Sequence, residues 1–194
     1  MVSPITNRIG WDYYFLLIAD MVALRSTCPR RQVGAVFVGE DNGILATGYN
    51  GAPRGMPHCD HSHREGHTTD EQRGIDKNGN CITAVHAEAN ALYHAARHGI
   101  SLWHSTLYCT CAPCRACFHA LVQAGVHRIV YVDTCPYFDC SQAGVDDMTT
   151  RQIPRLDMGK ALVEYLAGLK GAGDYATTAV LLQSKGSKVD PSGR

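Results

Sequence analysis

The sequence predicts a three-layer α/β/α domain with a mixed central sheet. Strand-like and helix-like patterns alternate along the chain, which places helices on both faces of one sheet. The first two strand-like segments are separated by Asp41-Asn42-Gly43, a hairpin turn sequence, so at least one strand pair is antiparallel. The length, 194 residues, fits a single domain, assigned to residues 1–183, and a polar tail over 184–194 expected to be mobile.

The elements follow in order. Trp11 to Leu24 reads as an amphipathic helix whose apolar stripe is Tyr14, Leu17, Ile18, Met21 and Leu24. Pro29 stops its continuation. Gln32 to Val38 and Ile44 to Thr47 read as the hairpin strands, and Gly48-Tyr49-Asn50-Gly51-Ala52-Pro53 as loop. Met56 to Asn80 is polar, holds four histidines and reads as a long loop, which in a compact domain has a function or a tether. Thr83 to His98 reads as a helix stopped by Gly99, Ser105 to Thr110 as a strand, and Pro113 to Ala124 as a helix stopped by Gly125. Arg128 to Val132 reads as a buried strand, Lys160 to Leu169 as a helix and Thr177 to Leu182 as a last strand.

Composition narrows the function classes. Eighteen basic residues balance eighteen acidic ones, so the basic stripe of a nucleic-acid-coating protein is not expected. A small anionic substrate needs only a few placed cations and is compatible with that balance. No apolar run approaches the roughly 18 residues of a membrane span, and the N-terminus has no secretory pattern. Nine cysteines, two of them in Cys-x-x-Cys beside a proline, point to metal thiolates in a reducing cytoplasm.

The chemistry is concentrated in His86-Ala87-Glu88 and Pro113-Cys114-Arg115-Ala116-Cys117, a zinc-dependent deaminase signature. Cys114 and Cys117 are three apart, so on a helix they share a face. His86 and Glu88 are two apart and converge only if His86 stands at the entry of the second helix. Pro113 suits the first helical turn. His86, Cys114 and Cys117 would hold zinc and leave a fourth position for water, whose pKa zinc lowers to about 7. Glu88 is the general acid/base. The competing readings are a closed structural zinc knuckle and reduced core cysteines beside a surface His-Ala-Glu.

With these motifs, Ala23-Leu24-Arg25-Ser26-Thr27-Cys28-Pro29-Arg30, Val33-Gly34-Ala35 and Gly48-Tyr49-Asn50-Gly51, the chain resembles the deoxycytidylate deaminase branch of the cytidine deaminase superfamily from Trp11 to about Val132. The resemblance implies a cytidine-deaminase-like fold with about five strands. It implies zinc-dependent hydrolysis of dCMP to dUMP, supplying thymidylate synthesis in a cytoplasmic homohexamer activated by dCTP and inhibited by dTTP with Mg2+. It assigns Asn50 to the sugar hydroxyl, with a turn asparagine as the equal alternative. Backbone N–H groups near Ala87 and Cys114 are candidate base contacts. Arg97 is linked to nucleotide binding or activation, Arg30 and Arg54 are other phosphate candidates, and Tyr137 is a residue that closes over the nucleotide; for each, an ordinary surface or core role competes. It also implies a structural zinc held by Cys28, Cys59, Cys81 and His67, with His63 and His61 as substitutes for His67. Two further alternatives are deamination of a cytosine or adenine in tRNA or single-stranded DNA, and a zinc-binding module without catalysis.

Overall fold

The computed structural model describes residues 8–58, 74, 76 and 81–167. Helix α1 spans Trp11–Ala23, strands β1 and β2 span Gly34–Val38 and Ile44–Tyr49, and helix α2 spans Ala87–Arg97. Strand β3 (Thr106–Cys111), helix α3 (Arg115–Gln123), strand β4 (Arg128–Asp133), a 3-10 turn at Cys140–Gln142, strand β5 (Thr149–Gln152) and helix α4 (Arg155–Ala167) follow.

The five strands lie in the order β2-β1-β3-β4-β5. The β1/β2 and β1/β3 pairs are antiparallel, and β3/β4 and β4/β5 are parallel. The mixed sheet is therefore as the hairpin turn implied. Asn42 closes that turn with φ 63°, and Gly43 N–H bonds Asp41 Oδ1 at 2.9 Å.

Strand side chains alternate between two cores, as a pleated sheet requires. Ala35, Phe37, Leu107, Cys109, Ile129 and Tyr131 pack with α2 and α3. Val36, Val38, Tyr108, Val130 and Val132 pack with Phe15, Leu16 and Ala19 of α1 and Met158 of α4. Asp12, at the start of α1, receives a bidentate contact from Arg128, with both distances 2.8 Å, and bonds from Arg151 and Tyr108 at 2.8 and 3.0 Å. This pins α1 to β3, β4 and β5.

Several boundaries differ from the sequence reading, for local reasons. Helix α2 begins at Ala87 rather than Thr83, because Val85 is tied to Gly51 by an isolated bridge and His86 keeps extended backbone. Helix α3 begins at Arg115, so Pro113 precedes the helix rather than sitting in its first turn. Helix α4 starts at Arg155, immediately after Pro154, five residues earlier than periodicity suggests. Strand β5 was not foreseen: Thr149, Thr150, Arg151 and Gln152 are polar, and an edge strand carries little apolar signal. The stripe assigned to α1 also turns out differently. Its sheet-facing residues are Phe15, Leu16, Ala19 and Ala23, while Tyr14, Met21 and Leu24 point outward. The cause is close approach: a Cβ on Gly34 would collide with Ala19 O and Ala23 N, so α1 lies on β1 through its smallest residues. The strand read at Thr177 to Leu182, the tail 184–194, the end of the last helix and most of the long loop lie outside the described residues.

Candidate active site

The site is assembled at two helix starts. The backbone of His86 is extended, with φ −69° and ψ 155°, and the residue caps α2. Cys114, with φ −70° and ψ 167°, caps α3 just beyond the C-terminal end of β3. Cys117 lies one turn into α3 and is buried. Ligands at the carboxyl ends of strands, beside helix N-termini, are the expected placement in an α/β sheet.

The Gly48-Tyr49-Asn50-Gly51 segment explains why α2 starts where it does. A Cβ on Gly48 would strike Ala87 O and Ala91 N, so the missing side chain lets the first turn of α2 settle on β2. Tyr49 O accepts from Asn90 Nδ2 at 2.8 Å. Gly51 and Val85 exchange backbone hydrogen bonds of 3.1 and 2.9 Å, which delivers the chain into His86. Asn50 is buried, and its Oδ1 accepts from Ser26 Oγ at 2.6 Å and Val33 N at 2.8 Å. Its Nδ2 donates to Arg31 O at 2.8 Å, leaving one amide proton for another acceptor.

His86 Nδ1 lies 3.4 Å from Cys114 Sγ and 3.5 Å from Cys117 Sγ. All three donor atoms lie within 4.8 Å of one another. Tetrahedral zinc with ordinary Zn–S and Zn–N bonds places nitrogen and sulfur ligands about 3.5 Å apart. The cluster therefore has the donor set and the dimensions of a zinc site with three protein ligands.

Electrostatics agree with that donor set. The neighbouring Cys117 sulfur and the His86 ring pull the Cys114 thiol far below its ordinary range, while Cys117, beside that thiolate, is pushed far up. A divalent cation held by both sulfurs would favour the thiolate form of each. The contact with Cys114 raises His86, an effect that Glu88 reinforces against burial. Glu88 is 4% exposed, and burial raises its carboxyl above the usual range even though His86 opposes the shift. A carboxyl raised toward neutrality is suited to taking up and releasing protons.

These groups open into a cavity of about 690 Å³. Asn50, Ala87 and Tyr137 are among the residues that line it, with Tyr137, 77% exposed, at its rim. Arg30, Arg31 and Arg115 also line it, and Glu88 is the one acid among the described residues of its wall. Arg31 and Arg115 were not foreseen; Arg31 comes in with the strand entry next to Asn50, and Arg115 is the unassigned position inside the Cys-x-x-Cys motif. Arg31 stands 3.5 Å from Asp133, and the Arg115 guanidinium sits over the Phe138 ring at 5.1 Å. Arg97 does not reach this cavity: it is exposed at the far end of α2, about 16 Å along the axis from His86. Arg54 is also absent from the cavity wall. Cys28 and Cys81 share the wall with His86, whereas Cys59, His67, His63 and His61 lie outside the described residues.

A five-stranded mixed sheet carrying a zinc-type His/Cys/Cys cluster and a buried carboxyl defines a zinc-binding deaminase class of protein. The chain belongs to the cytidine and deoxycytidylate deaminase zinc-binding family, whose profile matches residues 9–133. It is 32% identical over 175 residues to ComE operon protein 2 of Bacillus subtilis, covering 85% of each chain. It is 42% identical over 130 residues to a deoxycytidylate deaminase of Mycobacterium phage D29, covering 64% of this chain and 96% of the phage protein. The crystal structure of the dCMP deaminase from cyanophage S-TIM5 in complex with dCMP and dUMP is 28% identical, with a TM-score of 0.58, covering 72% of this chain and 94% of that one.

Proposed function

We propose that this chain is a hydrolytic deaminase that converts dCMP to dUMP and ammonia, supplying dUMP for thymidylate synthesis. One observation carries the reading: the buried carboxyl of Glu88 stands beside the His86/Cys114/Cys117 cluster in a cavity with three arginines. The names of the phage and cyanophage relatives support the same substrate.

His86 Nδ1, Cys114 Sγ and Cys117 Sγ would hold zinc. When bound there, zinc supplies Lewis acidity that makes water a nucleophile at neutral pH. The two sulfurs, as thiolates, balance the charge of the cation. Glu88 accepts the proton of the attacking water and delivers it to N3 of cytosine as C4 becomes tetrahedral. It then transfers the second water proton to the 4-amino nitrogen, which leaves as ammonia. Backbone N–H groups near Ala87 and Cys114, at the two helix starts, are directed to the base. The remaining amide proton of Asn50 serves the sugar hydroxyl. Arg30, Arg31 and Arg115 form the positive wall that suits the 5′-phosphate, and Tyr137 closes over the nucleotide from the rim.

The finer reading extends beyond this cavity. It includes a second, structural zinc on Cys28, Cys59, Cys81 and His67, a cytoplasmic homohexamer, and regulation by dCTP and by dTTP with Mg2+. Arg97, remote from the cavity, is assigned to nucleotide-linked activation. Absorbance at 280 nm tests the substrate: it should fall when dCMP is added and stay flat with deoxycytidine, dCTP or a single-stranded oligonucleotide. A fall with one of the others and none with dCMP would replace the substrate.

A further inference from the structure

Arg31 is held at both of its ends. Its carbonyl accepts from Asn50 Nδ2 at 2.8 Å. The backbone that follows is clamped by Val33 N–H to Asn50 Oδ1 at 2.8 Å and by Asn50 N–H to Val33 O at 3.2 Å. At the other end, Nη2 of the guanidinium lies 3.5 Å from Asp133 Oδ2. Arg31 lines the cavity, whereas neither Asp133 nor Arg155 is among the described residues of its wall. The carboxylate therefore meets the guanidinium from outside the cavity. A guanidinium carries five N–H donors in a planar fork, so Nη2 can face Asp133 while another edge stays open to a phosphate.

Asp133 is itself fixed. It ends β4 opposite Cys111 of β3, and its carbonyl accepts from Ala112 N–H at 2.7 Å. Its Oδ2 also lies 3.7 Å from Arg155 Nη2, and Arg155 Nη1 donates to both carboxylate oxygens of Asp20 at 2.9 and 3.0 Å. Acid and base alternate along this row from α1 through α4 and β4 to the segment before β1. Because Asp133 is shared with Arg155, Arg31 keeps positive charge for an incoming anion. We propose that Asp133 is a positioning residue: its carboxylate orients the Arg31 guanidinium toward the 5′-phosphate of the nucleotide, and Arg155 holds that carboxylate in place. This rests on the reading above in taking a nucleotide phosphate as the ligand of Arg31. The Arg31 and Asp133 side chains are 45% and 46% exposed. A pair exposed to that degree contributes modestly, so its loss should weaken phosphate binding a few-fold rather than abolish activity.

Isothermal titration of the zinc-loaded full chain with dUMP and with deoxyuridine tests this without turnover. Asp133→Ala should weaken dUMP about threefold and leave deoxyuridine, which has no phosphate, unchanged. Asp133→Asn removes the same charge but keeps an acceptor for Arg31, so its affinity for dUMP should stay nearer to that of the parent. In an Arg31→Gln background, Asp133→Ala should have no further effect. In dCMP turnover, Asp133→Ala should raise KM by the same factor with kcat unchanged. Unchanged or tighter dUMP binding by Asp133→Ala would overturn the proposal. So would an equal loss in the Asn and Ala variants, a matching loss for deoxyuridine, or a loss that persists without Arg31. A parent chain that does not turn over dCMP strikes the substrate reading instead, and the dUMP titrations then decide the role of Asp133 on their own.

Discussion

Asn50 offers a test in which the structural and the functional role of one side chain separate. Replacing it with alanine removes three hydrogen bonds: from Ser26 Oγ at 2.6 Å, from Val33 N at 2.8 Å, and to Arg31 O at 2.8 Å. Ser26 Oγ retains its bond to Asn50 O at 2.8 Å, so it is not stranded. The Val33 N–H and the Arg31 carbonyl lose these partners next to a buried side chain. A typical hydrogen bond contributes about 1 kcal/mol net, and a stranded buried group costs about 1–3 kcal/mol, so Asn50→Ala should destabilise the fold by about 2–4 kcal/mol. Ser26→Ala loses one side chain's bonds and should cost about 1 kcal/mol. Urea denaturation followed by circular dichroism measures both. If Asn50 also contacts the sugar, the folded Asn50→Ala protein should show a KM for dCMP raised at least several-fold, and Ser26→Ala much less. A loss below about 0.5 kcal/mol in Asn50→Ala would refute the bracket, because surface changes are of that size.

Other outcomes follow from single contacts. Gly48→Val puts side-chain atoms where Ala87 O and Ala91 N lie, so α2 must move. The purified variant should bind less than one zinc at the catalytic cluster by metal analysis and lose most turnover. For Asp12, burial alone would push the carboxyl up, but Arg128 and Arg151, with Tyr108, bring it below the ordinary carboxylate value. A depressed folded value means stability that is present above the unfolded pKa and lost as pH falls through the folded one. The stability gap between the parent and Asp12→Asn should therefore be full at pH 7 and close under acid conditions; a gap that does not change with pH contradicts the Arg128 pairing. Arg115→Gln should raise KM for dCMP by about tenfold, the cost of one charge-assisted contact, with zinc content unchanged.

Much of the site was legible because its pieces are local. His86 and Glu88 are two residues apart, Cys114 and Cys117 three, and each pair is fixed by the start of one helix. The antiparallel start of the sheet was carried by Asp41-Asn42-Gly43 alone, since the turn needs the left-handed backbone Asn42 adopts. What depended on tertiary placement was not legible. Helix α1 presents two apolar stripes, and only the contact of Gly34 with Ala19 and Ala23 decides which one faces the sheet. Strand β5 is polar and is fixed by its parallel pairing with β4 rather than by its own pattern. Arg31 and Arg115 reach the cavity from separate segments, and nothing in spacing sets them apart from the other arginines. Asn50 was open between a turn and a ligand role; the structure gives its side chain three protein partners, a placement that spacing alone does not show.

The proposed reaction requires Glu88, not the metal cluster alone, to move the protons. The rate of dCMP deamination by Glu88→Gln, measured on protein whose zinc content equals that of the parent, tests it most directly. A fall of at least about a thousandfold is expected, within the range lost with a general acid/base. A rate within tenfold of the parent would contradict it.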